Sequence, residues 1–288
     1  MTTLPAISGR RRSADRAMRI VLGLLTLIAL VPLVAIIYFL LKNGLSAFSW
    51  HFFSTDPTGN FFGDQGGVKS AILGTVEIVL MASVLAIPVG IAIAIYLVEY
   101  GQAGWFGNTV RYLIDVMTGV PSIVFGLFVY AALVVSKVGG QAYTAWKAGI
   151  AISLLMLPIV VKSSEVVLLL VPNGLREAAL ALGTPRWRVV MRVVLPAARP
   201  GIITGAILSI ARGIGETAPL LFTTSLVLGT TTSPNAPMNA LPIQIFADIN
   251  SPNSQLVTRA WGAALTLVLM VLVLTLIARL YASRSRIA

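Results

Sequence analysis

EAALALGTPRWRVVMRVVLP, residues 177–196, is a charged, turn-bearing stretch between long apolar runs, and its reading decides how the rest of the chain is placed. Glu177, Ala178 and Ala179 favour the start of a helix, and Asn173 can cap it. Gly183 followed by Pro185 ends or turns that helix after about two turns. A second short helix over 186–195 follows. It carries Val189, Val190, Val193 and Val194 on an apolar face and Arg188 and Arg192, four apart, on a polar one. The pattern predicts a compact helix-turn-helix lying at a membrane surface.

Outward from this stretch the chain is apolar. Of its 288 residues 57% are hydrophobic and 11% are charged, against roughly 25% charged in an ordinary soluble domain. A helix needs about 20 apolar residues to cross a hydrocarbon core ~30 Å thick. Six runs stand out, at 18–41, 70–98, 110–135, 146–161, 200–222 and 258–281. Each is read as a transmembrane helix, so the fold class is an all-α integral membrane protein with no room for a large soluble domain. The chain divides into a basic tail at 1–17, the first span at 18–41, and a loop at 42–69. A core follows at 70–281, with the charged segment 162–199 inside it, and then a short tail at 282–288. The absence of cysteine excludes disulfides and thiolate sites, and the single histidine, His51, cannot build a zinc site alone.

The net charge of +11 would suit a nucleic-acid binder, but its distribution between apolar runs suits a topology signal better. With the N-terminus in the cytoplasm, fifteen basic residues fall inside: Arg10, Arg11, Arg12, Arg16, Arg19, Arg111, Lys162, Arg176, Arg186, Arg188, Arg192, Arg199, Arg279, Arg284 and Arg286. Five fall outside, namely Lys42, Lys69, Lys137, Lys147 and Arg259. That asymmetry puts both termini in the cytoplasm. The first run is longer than a signal-peptide core and lacks a clear small-residue cleavage site, so it reads as an uncleaved helix kinked at Pro32. Trp50, His51, Phe52, Phe53, Phe61 and Phe62 place the 42–69 loop at the outer interface. The Thr-, Ser-, Pro- and Asn-rich stretch at 223–257 reads as a second outer loop with a short helix near 243–249.

One basic residue, Arg212, falls inside a span, about 18 Å along a helix starting at Pro200. An uncompensated charge there costs several kcal/mol, so it must face protein or water, and Glu216 one turn on is the obvious partner. Gly201, Gly205, Ser209 and Gly213 form a four-residue ladder that permits close helix approach or leaves room for a solute. The pair is either a packing salt bridge or part of a pathway, where the planar guanidinium would meet an anion and Glu216 would hold it between encounters. Glu77 has no sequence-local cation; it pairs across helices or lines the cavity. Arg111 and Asp115 are spaced as a local helical pair, and Lys162 and Glu165 as an interface pair. Pro88, Pro121, Pro158 and Pro219 interrupt apolar helices and read as kinks.

The spacing of Glu177, Ala178, Ala179, Gly183, Val193, Leu195 and Pro196 resembles the EAA loop of type I ABC importer permeases, with Val193 where Ile is commoner. AIYLVEY at 94–100, GVPSIVFGLF at 119–128 and ARGIGETAPLLFT at 211–223 are similar to the phosphate-specific permeases of PstA type. Lys162 stands where that family has Arg, keeping the charge but not the bidentate fork. The resemblance implies a non-enzymatic subunit of the bacterial inner membrane. Arg212, Glu216, Thr217, Glu77 and Lys162 would lie along its substrate pathway. Arg176, Glu177, Ala178, Ala179, Gly183, Leu195 and Pro196 would form its coupling surface for a separate ATPase. No G-x-x-x-x-G-K-[ST] motif occurs, so ATP and Mg would be used by the partner and no cofactor by this chain. The implied partners are a homologous PstC-type permease, two ATPase copies, a periplasmic or lipid-anchored phosphate-binding protein, inorganic phosphate and membrane lipid, with no nucleic acid. A permease for another oxyanion or solute, or a secondary transporter, is the alternative.

Overall fold

A computed structural model describes residues 9–60, 62–101 and 104–284. The ends of both tails, expected in the cytoplasm, and Phe61 of the 42–69 loop lie outside the described residues. The helices are α1 Gly9–Gly44, α2 Trp50–Ser54, α3 Lys69–Ile95, α4 Trp105–Gly119, α5 Ser122–Val129 and α6 Ala145–Leu169. They continue as α7 Asn173–Ala181, α8 Arg186–Val189, α9 Leu195–Ile214, α10 Ala218–Thr223, α11 Leu241–Ile249 and α12 Ser254–Arg284. Single π turns extend α3 over Tyr96–Tyr100 and α5 over Tyr130–Val134, and a third, Val190–Val194, joins α8 to α9.

Five stretches are long and apolar enough to cross a membrane: Ser13–Ala47, Lys69–Tyr100, Ala145–Leu169, Arg186–Ile214 and Ser254–Leu280. The expected single span at 110–135 is instead the bent pair Trp105–Gly119 and Ser122–Val134, turned by 103°. The cause is local. Proline disfavours the helical conformation in the residue before it, and Val120 ahead of Pro121 is extended, with φ −73° and ψ 130°. The pair still leads from one side of the bundle to the other. Arg111 Nη2 near the start of α4 donates to Leu97 O at the end of α3 (2.8 Å). At the far end Tyr130 meets Phe222 of α10 edge-on at 6.1 Å, and Thr223 accepts from Thr144 N at the start of α6.

Two other boundaries move. α6 runs eight residues past 161, so Lys162 and Glu165 sit in its last turns rather than in a loop. The second short helix expected at 186–195 does not stand alone but continues through the π turn into α9. The wider i→i+5 register just ahead of Pro196 accommodates a residue with no N–H to give to the ladder. The fifth span then ends at Ile214, short of 222, and the chain restarts as α10 after a break at 215–217. Proline does not break the helix at Pro32, Pro88 or Pro158.

The core is centred on α6. Ile78, Ala82 and Ala86 of α3 pack with Ala148, Ile152 and Met156 of α6 and Leu220 of α10, all buried. The glycine ladder of α9 closes on the same helix: a Cβ at Gly201 would meet Val167, at Gly205 Ser163, and at Gly213 Met156, each within 3.0 Å. Close approach, rather than room for a solute, is therefore what the small residues serve. α1 rests against α12 and is exposed along most of its length.

Candidate coupling surface and intramembrane charge pair

The segment carrying α7 and α8 hangs from the ends of α3 and α6. Asn173 does not cap α7 but begins it after Pro172, and its Oδ1 accepts from Arg176 Nη1 at 3.2 Å. Gly183 closes the turn after α7 with φ +77°, a left-handed conformation that side-chain-bearing residues resist. Val189, Val190 and Val194 are buried and Val193 half-buried. With Ala94, Val98, Leu168 and Val171, the residues Val189, Val193 and Val194 form an apolar cluster that seats α8 on the bundle, while Arg188 and Arg192 stay exposed. Glu177 and Ala178 face outward, as do Leu182 and Trp187, 86% and 58% exposed. Ala179 and Leu195 turn inward against the cluster, Pro196 is exposed, and Arg176 points away from the outer surface of α7.

The charges on this side pair across helices. Arg111 Nε donates to Glu165 Oε1 at 2.8 Å, and Lys162 pairs with Asp115. The local pairs Arg111–Asp115 and Lys162–Glu165 are thus replaced by crossed ones, because α4 and α6 lie side by side and present these rungs to each other. Glu99, in the π turn of α3, is buried and accepts from Arg176 Nε at 3.1 Å. Nothing in the local spacing of AIYLVEY flags Glu99 as a partner for a residue seventy-seven positions away.

Arg212 and Glu216 meet as expected, with Nη2 2.9 Å from Oε1. Their environments differ. The Glu216 side chain is 9% exposed, held in the break by backbone bonds from Glu216 N to Gly213 O and from Gly215 N to Arg212 O, whereas the Arg212 side chain is 61% exposed. Gly213 abuts Ile152 and Met156 in the middle of α6. The guanidinium therefore stands at membrane depth, out of the bundle, on a carboxylate that the bundle buries. Thr217 follows directly, half-buried, its carbonyl accepting from Leu221 N.

The other residues expected along the pathway are not joined to this pair. Lys162 lies about 9–15 Å further along α6 than Met156 and Ile152 and is held by Asp115. Glu77 is half-buried and has no hydrogen bond or ion pair among the described residues. It sits three residues from Gly74, where an added Cβ would lie 2.0 Å from the Asn239 carbonyl of the 223–257 loop. A second buried network, not legible in the sequence, stabilises that loop. Arg259 donates to both oxygens of Asp248 (2.7 and 2.9 Å), Gln244 Nε2 to Asp248 Oδ1 (2.9 Å), and Asn239 Nδ2 to Gln244 Oε1 (2.7 Å).

Residues 86–287 match the family model of the binding-protein-dependent transport system inner membrane component. Among curated relatives, the phosphate transport system permease protein PstA of Yersinia pestis is 39% identical over 96% of this chain and 92% of its own length. PstA of Mycobacterium leprae (strain TN) is 40% identical over 93% and 88%. A permease chain in the crystal structure of a bacterial alginate ABC transporter superposes with a TM-score of 0.66, at 15% identity over 95% of this chain and 96% of that one. One in the inward-facing MetNI methionine ABC transporter gives 0.57, at 18% identity over 74% and 92%.

Proposed function

The chain belongs to the binding-protein-dependent transport system inner membrane components, among their PstA phosphate permeases, and from that premise we propose how its two sites carry phosphate across the inner membrane. It is the multi-pass permease subunit of an ABC phosphate importer. Arg212 is the contact for the anion in transit. The observation that carries this reading is the asymmetry of the pair: a permanent cation, 61% exposed near the far end of its span, restrained by a carboxylate that is 9% exposed. A charge turned away from its own bundle at that depth needs a partner subunit, water or a passing anion to compensate it. A planar guanidinium offers the last of these two parallel hydrogen bonds.

The path is completed by a homologous PstC-type permease. Two copies of an ATPase use ATP and Mg, and a periplasmic or lipid-anchored binding protein delivers inorganic phosphate at the outer face. Both termini lie in the cytoplasm. Glu177, Ala178, Leu182 and Trp187 form the face offered to the ATPase. The continuous helix Arg186–Ile214 links that surface to Arg212, so closure of the ATPase pair tilts a single rod whose far end bears the charge. Glu77 and Lys162 line the outer and inner approaches.

The experiment is uptake of radiolabelled phosphate into vesicles holding the assembled complex. Uptake requires ATP and falls with Arg212→Gln. Uptake that persists at the wild-type rate in an assembled Arg212→Gln complex would refute the pathway role.

A further inference from the structure

The coupling helix α7 packs on α8 and its π turn, and its bonds to the two spans above it run through one side chain. Arg176 uses all three guanidinium nitrogens. Nε donates to Glu99 Oε1 at 3.1 Å, in the π turn that ends α3, and Nη2 lies 3.0 Å from the same oxygen. Nη2 also donates to Leu168 O (2.9 Å) and Nη1 to Val171 O, carbonyls at and just beyond the C-terminal end of α6. Those last carbonyls lack i→i+4 partners, Leu168 O accepting a long bond from Val171 N (3.3 Å), and carry the negative end of the helix dipole, so a cation there is doubly favoured. The side chains of Arg176 and Glu99 are 15% and 6% exposed.

We propose that Arg176 and Glu99 are a positioning pair that transmits movement of α7 to α3 and α6, not part of the surface the ATPase touches. The inference rests on the permease reading above. Its physical basis is directional. Arg176 is at the inner side of α7, while Glu177 and Ala178, the next two residues around the helix, face outward. A push on the outer face moves the guanidinium, and three hydrogen bonds and an ionic contact to two span ends oblige those ends to follow. α9 is driven separately, through its continuity with α8. The pair therefore makes α3, α6 and α9 move together rather than leaving α3 and α6 behind.

The test uses the full complex in proteoliposomes, with three variants: Glu99→Gln, Arg176→Lys and Arg176→Gln. Three quantities are read: ATPase copurifying with the permease, ATP hydrolysed, and radiolabelled phosphate moved per ATP. The expected result is retained copurification with phosphate per ATP reduced roughly tenfold, within the range of about 5- to 150-fold typical of coupled sites. Glu99→Gln, which keeps the shape and a hydrogen bond, should lose less than Arg176→Gln. An unchanged ratio in assembled Arg176→Gln overturns the proposal. If all three variants lose assembly while the residual complex keeps the wild-type ratio, the pair is a folding element, which overturns it equally. A wild-type complex that moves no phosphate with ATP would instead defeat the permease reading itself.

Discussion

The unequal burial of Arg212 and Glu216 makes their two neutral variants differ in a calculable way. Removing one member of a fully buried pair costs about 3–5 kcal/mol, mostly from stranding the other charge. Arg212→Gln strands Glu216, whose side chain is 9% exposed, so its penalty falls near the lower end of that range. Glu216→Gln strands Arg212, which is 61% exposed: facing the water-filled path of the pathway reading it behaves more like a surface pair, worth about 0–1 kcal/mol, whereas facing lipid it costs several kcal/mol. Glu216→Gln should therefore assemble almost normally if the pair lines a pathway and poorly if it is a packing bridge. Any loss of uptake per assembled complex in that variant reports on transport alone.

In transit, Arg212 would supply a hydrogen bond to a charged group, worth about 1.5–3 kcal/mol, or roughly a tenfold to hundredfold fall in uptake on its loss. The assay is phosphate uptake normalised to the amount of complex recovered, for Arg212→Gln, Glu216→Gln and the double Leu variant. The double variant strands no charge, so its assembly should recover. Recovery of uptake with it would refute the argument, because no cation of this helix would remain at that depth to meet the anion.

Other outcomes follow from particular residues. Gly183 has φ +77° and nothing within 4 Å of an added Cβ, so Gly183→Val should cost about 1–2 kcal/mol of backbone strain and weaken ATPase copurification. Gly183→Asn should be milder, and equal effects of the two would show that the left-handed turn is not what matters. Arg259→Met leaves Asp248 buried, which should lower thermal stability of the purified subunit by about 3–5 kcal/mol, with recovery in Arg259→Met/Asp248→Leu. Single thiols placed at Thr231 and Arg188 in this cysteine-free chain should label from opposite faces of the membrane, and labelling from the same face would contradict the arrangement of spans.

The spans were legible because hydrophobic length is a property of consecutive residues. The breaks in them were not. Pro121 and Pro158 both interrupt apolar runs, yet the chain turns through 103° at one and continues as a helix through the other. Pro158 is buried in the core around α6, where packing holds the helix together across the missing hydrogen bond, while Pro121 is exposed. Local sequence cannot distinguish the two. The same limit explains the ion pairs. Arg212 and Glu216 are four apart and were found by spacing alone. Arg111 and Asp115 have the same spacing but take partners on α6, because a partly buried cross-helix pair outweighs an i,i+4 pair worth about 0.3–0.5 kcal/mol. Glu99 could be seen as a charge near a span end, but not as the partner of Arg176 in α7.

The continuity of Arg186–Ile214 bears on how a push at the surface reaches the far end of the span. Two separate helices joined by a hinge at Pro196 would let the coupling segment rock while the span stayed still. One helix cannot rotate at its base without displacing its tip. Over 29 residues, about 43 Å, a tilt of a few degrees at the surface moves the far end by a few ångströms, comparable to the length of the Arg212–Glu216 bond. The far end is also where the helix stops, at the break that holds Glu216 in the bundle. Displacement of the rod is thus opposed at its tip by the ion pair itself. The pair must either follow the rod or part, and parting frees the guanidinium at the moment the span moves. An anion arriving then meets an uncommitted cation, and the return stroke restores Glu216 as its competitor. Charge pairing at the break and helix continuity at the base are, on this argument, two halves of one device, and weakening either should uncouple hydrolysis from transport.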